Sequence, residues 1–187
     1  MGKKLCLLLA DGVEEMEAVT SWDILRRAGL SVVAAAVGES CTVMGSHGIF
    51  IGADLLLPTV AAEKFDGLVL PGGPASFSLR KDVAVLALVR KMAKKFLAAI
   101  CAAPLILLDA GVLDGRRHTA HFSILRELPL AEKSAVVVDE NLITANGPGA
   151  AIPFALAIVR HFLGQESADA VARAIALGPD QVGTVAG

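Results

Sequence analysis

Four short segments of this chain are apolar almost from end to end: Lys4 to Ala10, Leu30 to Val37, Phe65 to Leu70 and Phe96 to Ile100. Strands with one face in water alternate apolar and polar residues, whereas strands covered on both faces read as continuous apolar runs. Segments with helical periodicity lie between most of these runs. Such alternation predicts a mostly parallel sheet held between two layers of helices. A chain of 187 residues suits one domain, and residues 1–187 are read as one. In open parallel sheets, sites form at the carboxyl ends of the strands. Three places meet that condition: the turn and helix after Ala10, the loop Pro71-Gly72-Gly73-Pro74, and Cys101.

The turn Asp11-Gly12 leads into a helix expected over 13–28 and stopped by Gly29. Cys41 to Ile51 reads as a small hairpin at the sheet edge, turning at Gly45-Ser46-His47-Gly48. Asp82 caps a helix expected over 82–95, and Pro104 suits the first position of another that ends at Ala110-Gly111. Further on, the pattern predicts a short helix around 123–128, a strand pair at 134–138 and 142–145, an apolar helix over 150–163 and an amphipathic one over 166–177. The last ten residues, with three glycines, are expected to fray.

Hydrophobic residues make up 55% of the chain and mean hydropathy is +0.63, which raises the question of a membrane span. The longest apolar run, Phe96 to Leu108, is thirteen residues and contains Pro104, against the roughly twenty a span needs. The start imitates a signal peptide, but its apolar part ends after six residues at Asp11, and Cys6 stands where a myristoylation motif wants Ser or Thr. A cytoplasmic protein without a membrane partner is expected. Net charge is −2 and the cations are scattered with few aromatics among them, so there is no nucleic-acid footprint. Three cysteines without C-x-x-C spacing do not build a disulfide framework.

Cys101 ends a strand and precedes a helix, the geometry of a nucleophile elbow, with small neighbours on both sides. The helix start is expected to lower the thiol pKa and favour the thiolate. Residue type alone favours a packing role. Glu17 falls four residues after Val13 and seven before Ile24, on the inward face of the first helix. A buried carboxyl there holds its proton and can serve the thiol as acid or base. The competing reading pairs Glu17 with Arg26, Arg27 or a lysine. Glu14 and Glu15 read as surface acids complementing the helix dipole. His118 and His121 form H-x-x-H without a third ligand, which argues against zinc. His121 can approach Cys101 from its own loop, His47 reads as a turn residue, and His161 as a helix-end cap. Backbone N–H groups of Gly73 and Ala102 are candidate oxyanion donors beside the thiol.

The motifs "EEMEAV", "LVLPGGP", "AAICAAP" and "NGPGAAIPFALAIV", in this order, resemble the ThiJ/PfpI superfamily, DJ-one branch, from about Lys3 to Leu177. The resemblance implies a flavodoxin-like three-layer α/β sandwich and a homodimer. It makes Cys101 the nucleophile and an oxidation-sensitive thiol, matches Glu17 and His121 to the acid and nearby histidine, and matches Gly73 and Ala102 to the backbone donors. Gly72 and His47 become binding positions, His47 standing where the branch often has arginine. The implied activity is a glutathione-independent glyoxalase or deglycase acting on small 2-oxoaldehydes or early glycation adducts, with no metal or organic cofactor. The alternative is a redox sensor or stress chaperone that works through oxidation of Cys101. Ala102 occupies the position at which the peptidase branch has histidine, which argues against peptidase activity, and the late His-x-Glu pair of glutamine amidotransferases is missing.

Overall fold

In the computed structural model the described residues are 2–60, 62–178 and 185–186. Ten strands follow in chain order: β1 (Lys4–Leu9), β2 (Ser31–Ala36), β3 (Thr42–Met44), β4 (Phe50–Gly52), β5 (Leu55–Leu56), β6 (Gly67–Leu70), β7 (Leu97–Ile100), β8 (Val136–Asp139), β9 (Leu142–Ala145) and β10 (Val185–Ala186). The helices are α1 (Glu15–Arg27), α2 (Ala75–Leu79), α3 (Val83–Met92), α4 (Pro104–Asp109), α5 (Ala151–Leu163) and α6 (Gln165–Ala174).

The main sheet runs β5-β2-β1-β6-β7-β9-β8-β10 and is parallel except for the β8–β9 pair. Its centre is dry: β6 and β7 are buried throughout, and β1 at every position after Lys4. This is the burial that continuous apolar strands require. Helices α1, α5 and α6 pack together on one face, and α2, α3 and α4 on the other. The arrangement is a flavodoxin-like α/β sandwich. Strand order reverses between β1 and β6, so the connections leaving their carboxyl ends diverge there, the place where sites form in open α/β sheets. Loop 71–74 follows β6, and Cys101 follows the adjacent β7.

Several expected boundaries move. The first helix starts at Glu15, with Glu14 as an extended N-cap, so Val13 packs from outside it. The helix expected around 123–128 is a 3-10 turn, Phe122–Ile124. Strand β5 and helix α2 have no counterpart in the sequence reading; both are too short to show a period. The hairpin is present as β3–β4, a separate two-stranded sheet. Of the last ten residues, expected to fray, Val185–Ala186 pair with β8, and residues 179–184 and 187 lie outside the described residues. Among the described residues, no helix is long and apolar enough to cross a membrane.

Candidate active site

Cys101 has φ +62°, a left-handed conformation at a residue that carries a side chain. That region costs an ordinary residue about 1–2 kcal/mol. Neighbours on both sides hold it there: Cys101 N–H donates to the Ala145 carbonyl (2.9 Å), and its own carbonyl accepts from His121 N–H (2.9 Å). Ala102 and Ala103 complete the turn and Pro104 opens α4. The chain thus reverses sharply at the sheet edge, and the side chain is 8% exposed.

Glu17 is fully buried. Glu14 and Glu17 have the spacing of a capping box, in which the later acid normally reaches back to the N-cap N–H. Here that N–H donates instead to the Gly72 carbonyl (3.1 Å), while Glu14 Oε2 accepts from Glu17 N–H (2.8 Å). Glu17 is thereby released to turn inward, where Oε2 accepts from Gly72 N–H at 2.7 Å. The cations proposed as alternative partners are engaged elsewhere, Arg26 with the Val32 carbonyl and Asp54, Arg27 with Asp23. Only glycine fits at 72, since a Cβ there would lie 2.7 Å from Cys101 Cβ and 2.9 Å from Glu17 Oε2. Gly73 is equally constrained: its φ is +88°, and a Cβ would come within 2.5 Å of the Gly12 carbonyl.

Burial pushes Glu17 up to about 7, against the opposing pull of the Gly72 N–H and the thiol. The expectation of a lowered thiol pKa is overturned. Burial, then the charge of Glu17, pushes Cys101 up to about 12, while N–H groups of Gly73 and Ala102 directed at the sulfur pull the other way. Desolvation outweighs two amide donors and the start of a six-residue helix. The two groups titrate as a pair, so between about pH 7 and 12 they hold one proton and one negative charge. The resting site is a thiol beside a carboxyl that is giving up its own proton near neutrality.

His121 adjoins Cys101 through the backbone hydrogen bond, but its ring Nδ1 pairs with Ser123 Oγ (2.8 Å), and among the described residues no hydrogen bond joins the ring to the sulfur. His47 is tied to α1 rather than left free at the rim: Nδ1 lies 3.0 Å from Glu15 Oε2, and its backbone N–H donates to Glu15 Oε1 at 2.6 Å. Contrary to the surface reading, Glu14 and Glu15 are 8% and 6% exposed: Glu14 turns back onto the Glu17 N–H, and the β3–β4 hairpin covers Glu15. Ligand atoms of Glu14, Glu15 and His47 lie within 4.8 Å of one another, but protein hydrogen bonds already engage each residue. His118 is buried with Nδ1 on the Arg116 carbonyl, and His161 stacks on Phe96 with ring centroids 4.6 Å apart. Cys6 is a packed strand residue whose thiol burial pushes up to about 12.

The sequence reading missed the Glu14 cap and the Glu15–His47 tie. The Glu-x-x-Glu spacing signals the first; the second joins residues 32 apart and leaves no local signal.

Residues 3–161 match the DJ-1/PfpI family. The Drosophila melanogaster protein dj-1beta is 38% identical over 94% of this chain and 97% of its own. Its crystal structure superposes with a TM-score of 0.88 over 95% of this chain and 100% of that one, at 37% identity. A glutathione-independent glyoxalase of Caenorhabditis elegans, DJR-1.2, is 32% identical over 92% of this chain and 95% of its own. Deglycase TK1284 of Thermococcus kodakarensis is 34% identical over 78% and 91%. Two longer Arabidopsis thaliana relatives, DJ-1 homologs B and A, are matched over 37% and 42% of their lengths. The family match across residues 3–161 and the identity to full-length relatives show that this chain is a member of the DJ-1/PfpI family.

Proposed function

We propose that the protein is a cysteine-dependent, glutathione-independent glyoxalase or deglycase acting on small 2-oxoaldehydes such as methylglyoxal and glyoxal, or on early glycation adducts. The observation that carries the reading is the pairing of an elbow thiol with a buried carboxyl that titrates near neutrality, beside two backbone donors. Glu17 takes the thiol proton as sulfur attacks the aldehyde carbon, giving a hemithioacetal. The N–H groups of Gly73 and Ala102 steady the oxygen that gains charge. Glu17 hands that proton to this oxygen and, a carboxylate again, carries the C1 proton to C2 while the C1 hydroxyl proton passes to the C2 oxygen, so that C1 is oxidised to a thioester and C2 reduced to an alcohol without an external oxidant. Water cleaves the thioester, restores the thiol and releases lactate or glycolate. The alternative, a redox sensor in which Cys101 is oxidised, draws on the same thiol and the same base, and peroxide treatment followed by mass spectrometry, set beside aldehyde turnover, separates the two.

Lactate formation from methylglyoxal without glutathione tests the reading; unchanged turnover in Cys101→Ser rejects it. His121 is assigned no proton transfer, and its imidazole serves the rim beside Gly147. The homodimer is assigned to the apolar face formed by Met16 and Val19 of α1 with Met44, Ile49 and Phe50 of the hairpin, exposed at 58%, 48%, 48%, 59% and 70%. Sedimentation of Phe50→Glu as a monomer supports that face, and an unchanged dimer removes it.

A further inference from the structure

Two unpartnered polar atoms lie on the inner face of α1. Glu17 Oε1 has no hydrogen-bond partner among the described residues, although Oε2 is held by Gly72. Ser21, one helical turn on, is fully buried and its Oγ is likewise unpartnered. Residues four apart share a helix face, so Ser21 stands one turn from Glu17 on the buried face of α1. A serine inside a helix commonly returns its hydroxyl to the carbonyl four residues back, and here it does not. Two orphaned polar atoms in a dry interior are costly apart and satisfy each other together.

We propose that Ser21 is a positioning residue for Glu17: by rotation about its side-chain bond its hydroxyl engages Glu17 Oε1, completing the clamp that Gly72 begins at Oε2. A hydroxyl both donates and accepts, so one contact serves both states. Ser21 donates to the carboxylate and accepts from the protonated carboxyl. The acidic groups facing Glu17 are Cys101 from the end of β7, whose thiol also draws on the carboxyl, and Glu14 at its own N-cap; Oε1 still has no hydrogen-bond partner among the described residues. This role rests on Glu17 being the proton carrier of the proposed function, but it is readable without turnover.

The test follows the Glu17 carboxyl by infrared difference spectroscopy across pH, with the pH profile of Cys101 alkylation by iodoacetamide as a second readout. Ser21→Ala removes the donor to the carboxylate, so the Glu17 midpoint moves up by about one pH unit. Ser21→Thr keeps the wild-type midpoint and Ser21→Val moves with alanine; this isosteric pair separates hydroxyl from volume and stands in if Ser21→Ala folds poorly. Midpoints unchanged in both Ser21→Ala and Ser21→Val overturn the proposal. A shifted midpoint in an enzyme that does not turn over methylglyoxal leaves Ser21 in place and removes only the aldehyde reading.

Discussion

Glu15 and Glu17 occupy the same first turn of α1, both nearly sealed from water, yet their protons are held in opposite ways. Around Glu15, burial pushes its pKa upward but is overcome by the His47 ring and backbone N–H and by the Ser46 hydroxyl, and the carboxyl falls to about 2. Around Glu17, burial meets one strong donor and wins, and the carboxyl rises to about 7. Depth sets the size of the penalty for a charge and aligned donors offset it: Glu17 lies deep under the sheet with few donors, whereas Glu15 lies under a thin hairpin cover with several. One acid is thereby an anion at neutral pH that ties down a hairpin, and its neighbour gains and loses its proton near neutrality.

The sharpest way to break the contrast is to replace the thiol from which Glu17 takes its proton. Cys101→Ser is expected to lower lactate formation from methylglyoxal by about 10³-fold or more. Glu17→Gln is expected to cost roughly 10²- to 10⁴-fold in kcat/KM. Because Glu17's charge helps raise the thiol, the same variant should lower the Cys101 alkylation midpoint; an unmoved midpoint would show that burial alone sets it.

Stability should separate the two acids by sign. The folded value of Glu17, about 7, lies above the ~4.3 of an unfolded glutamate. Its contribution is therefore fully present below about pH 4 and is lost as pH rises through 7. Urea midpoints should show Glu17→Gln gaining on the wild type between pH 5 and 8, by on the order of 2–3 kcal/mol. Glu15, depressed to about 2, stabilises above about pH 4 and loses its contribution as pH falls towards 2. Glu15→Gln should be destabilised by on the order of 2 kcal/mol at pH 7, lowering Tm by roughly 5 °C. The smallest effect belongs to His47, whose side chain is 73% exposed. Glu15 raises its pKa, so the tie is strongest below about pH 6.5 and weakens as pH rises through the raised value. His47→Ala should shift Tm by only roughly 1–2 °C at pH 6.

Much of this was legible beforehand because the core-facing signals are local. Continuous apolar runs gave the buried parallel strands, and a cysteine between a strand and Pro104 marked the elbow. The inward face of Glu17 was also found, although Val13, used to locate that face, lies outside the helix; Ile24 alone carries the register. What stayed hidden depends on distant segments. Glu15 looked exposed because a helical wheel shows one buried stripe, whereas residues 45–49 fold over a second. The thiol pKa was misjudged for a related reason: position on a helix start can be read from sequence, while the depth of desolvation cannot.

The left-handed backbone at Cys101 has a consequence for how substitutions there should be read. Serine and alanine inherit the same unfavourable torsion, so they are clean controls for the sulfur and leave the elbow's stored strain intact. Glycine alone would relax the turn, by about 1 kcal/mol. The resting fold is held away from its own backbone optimum to keep one atom at the head of the sheet.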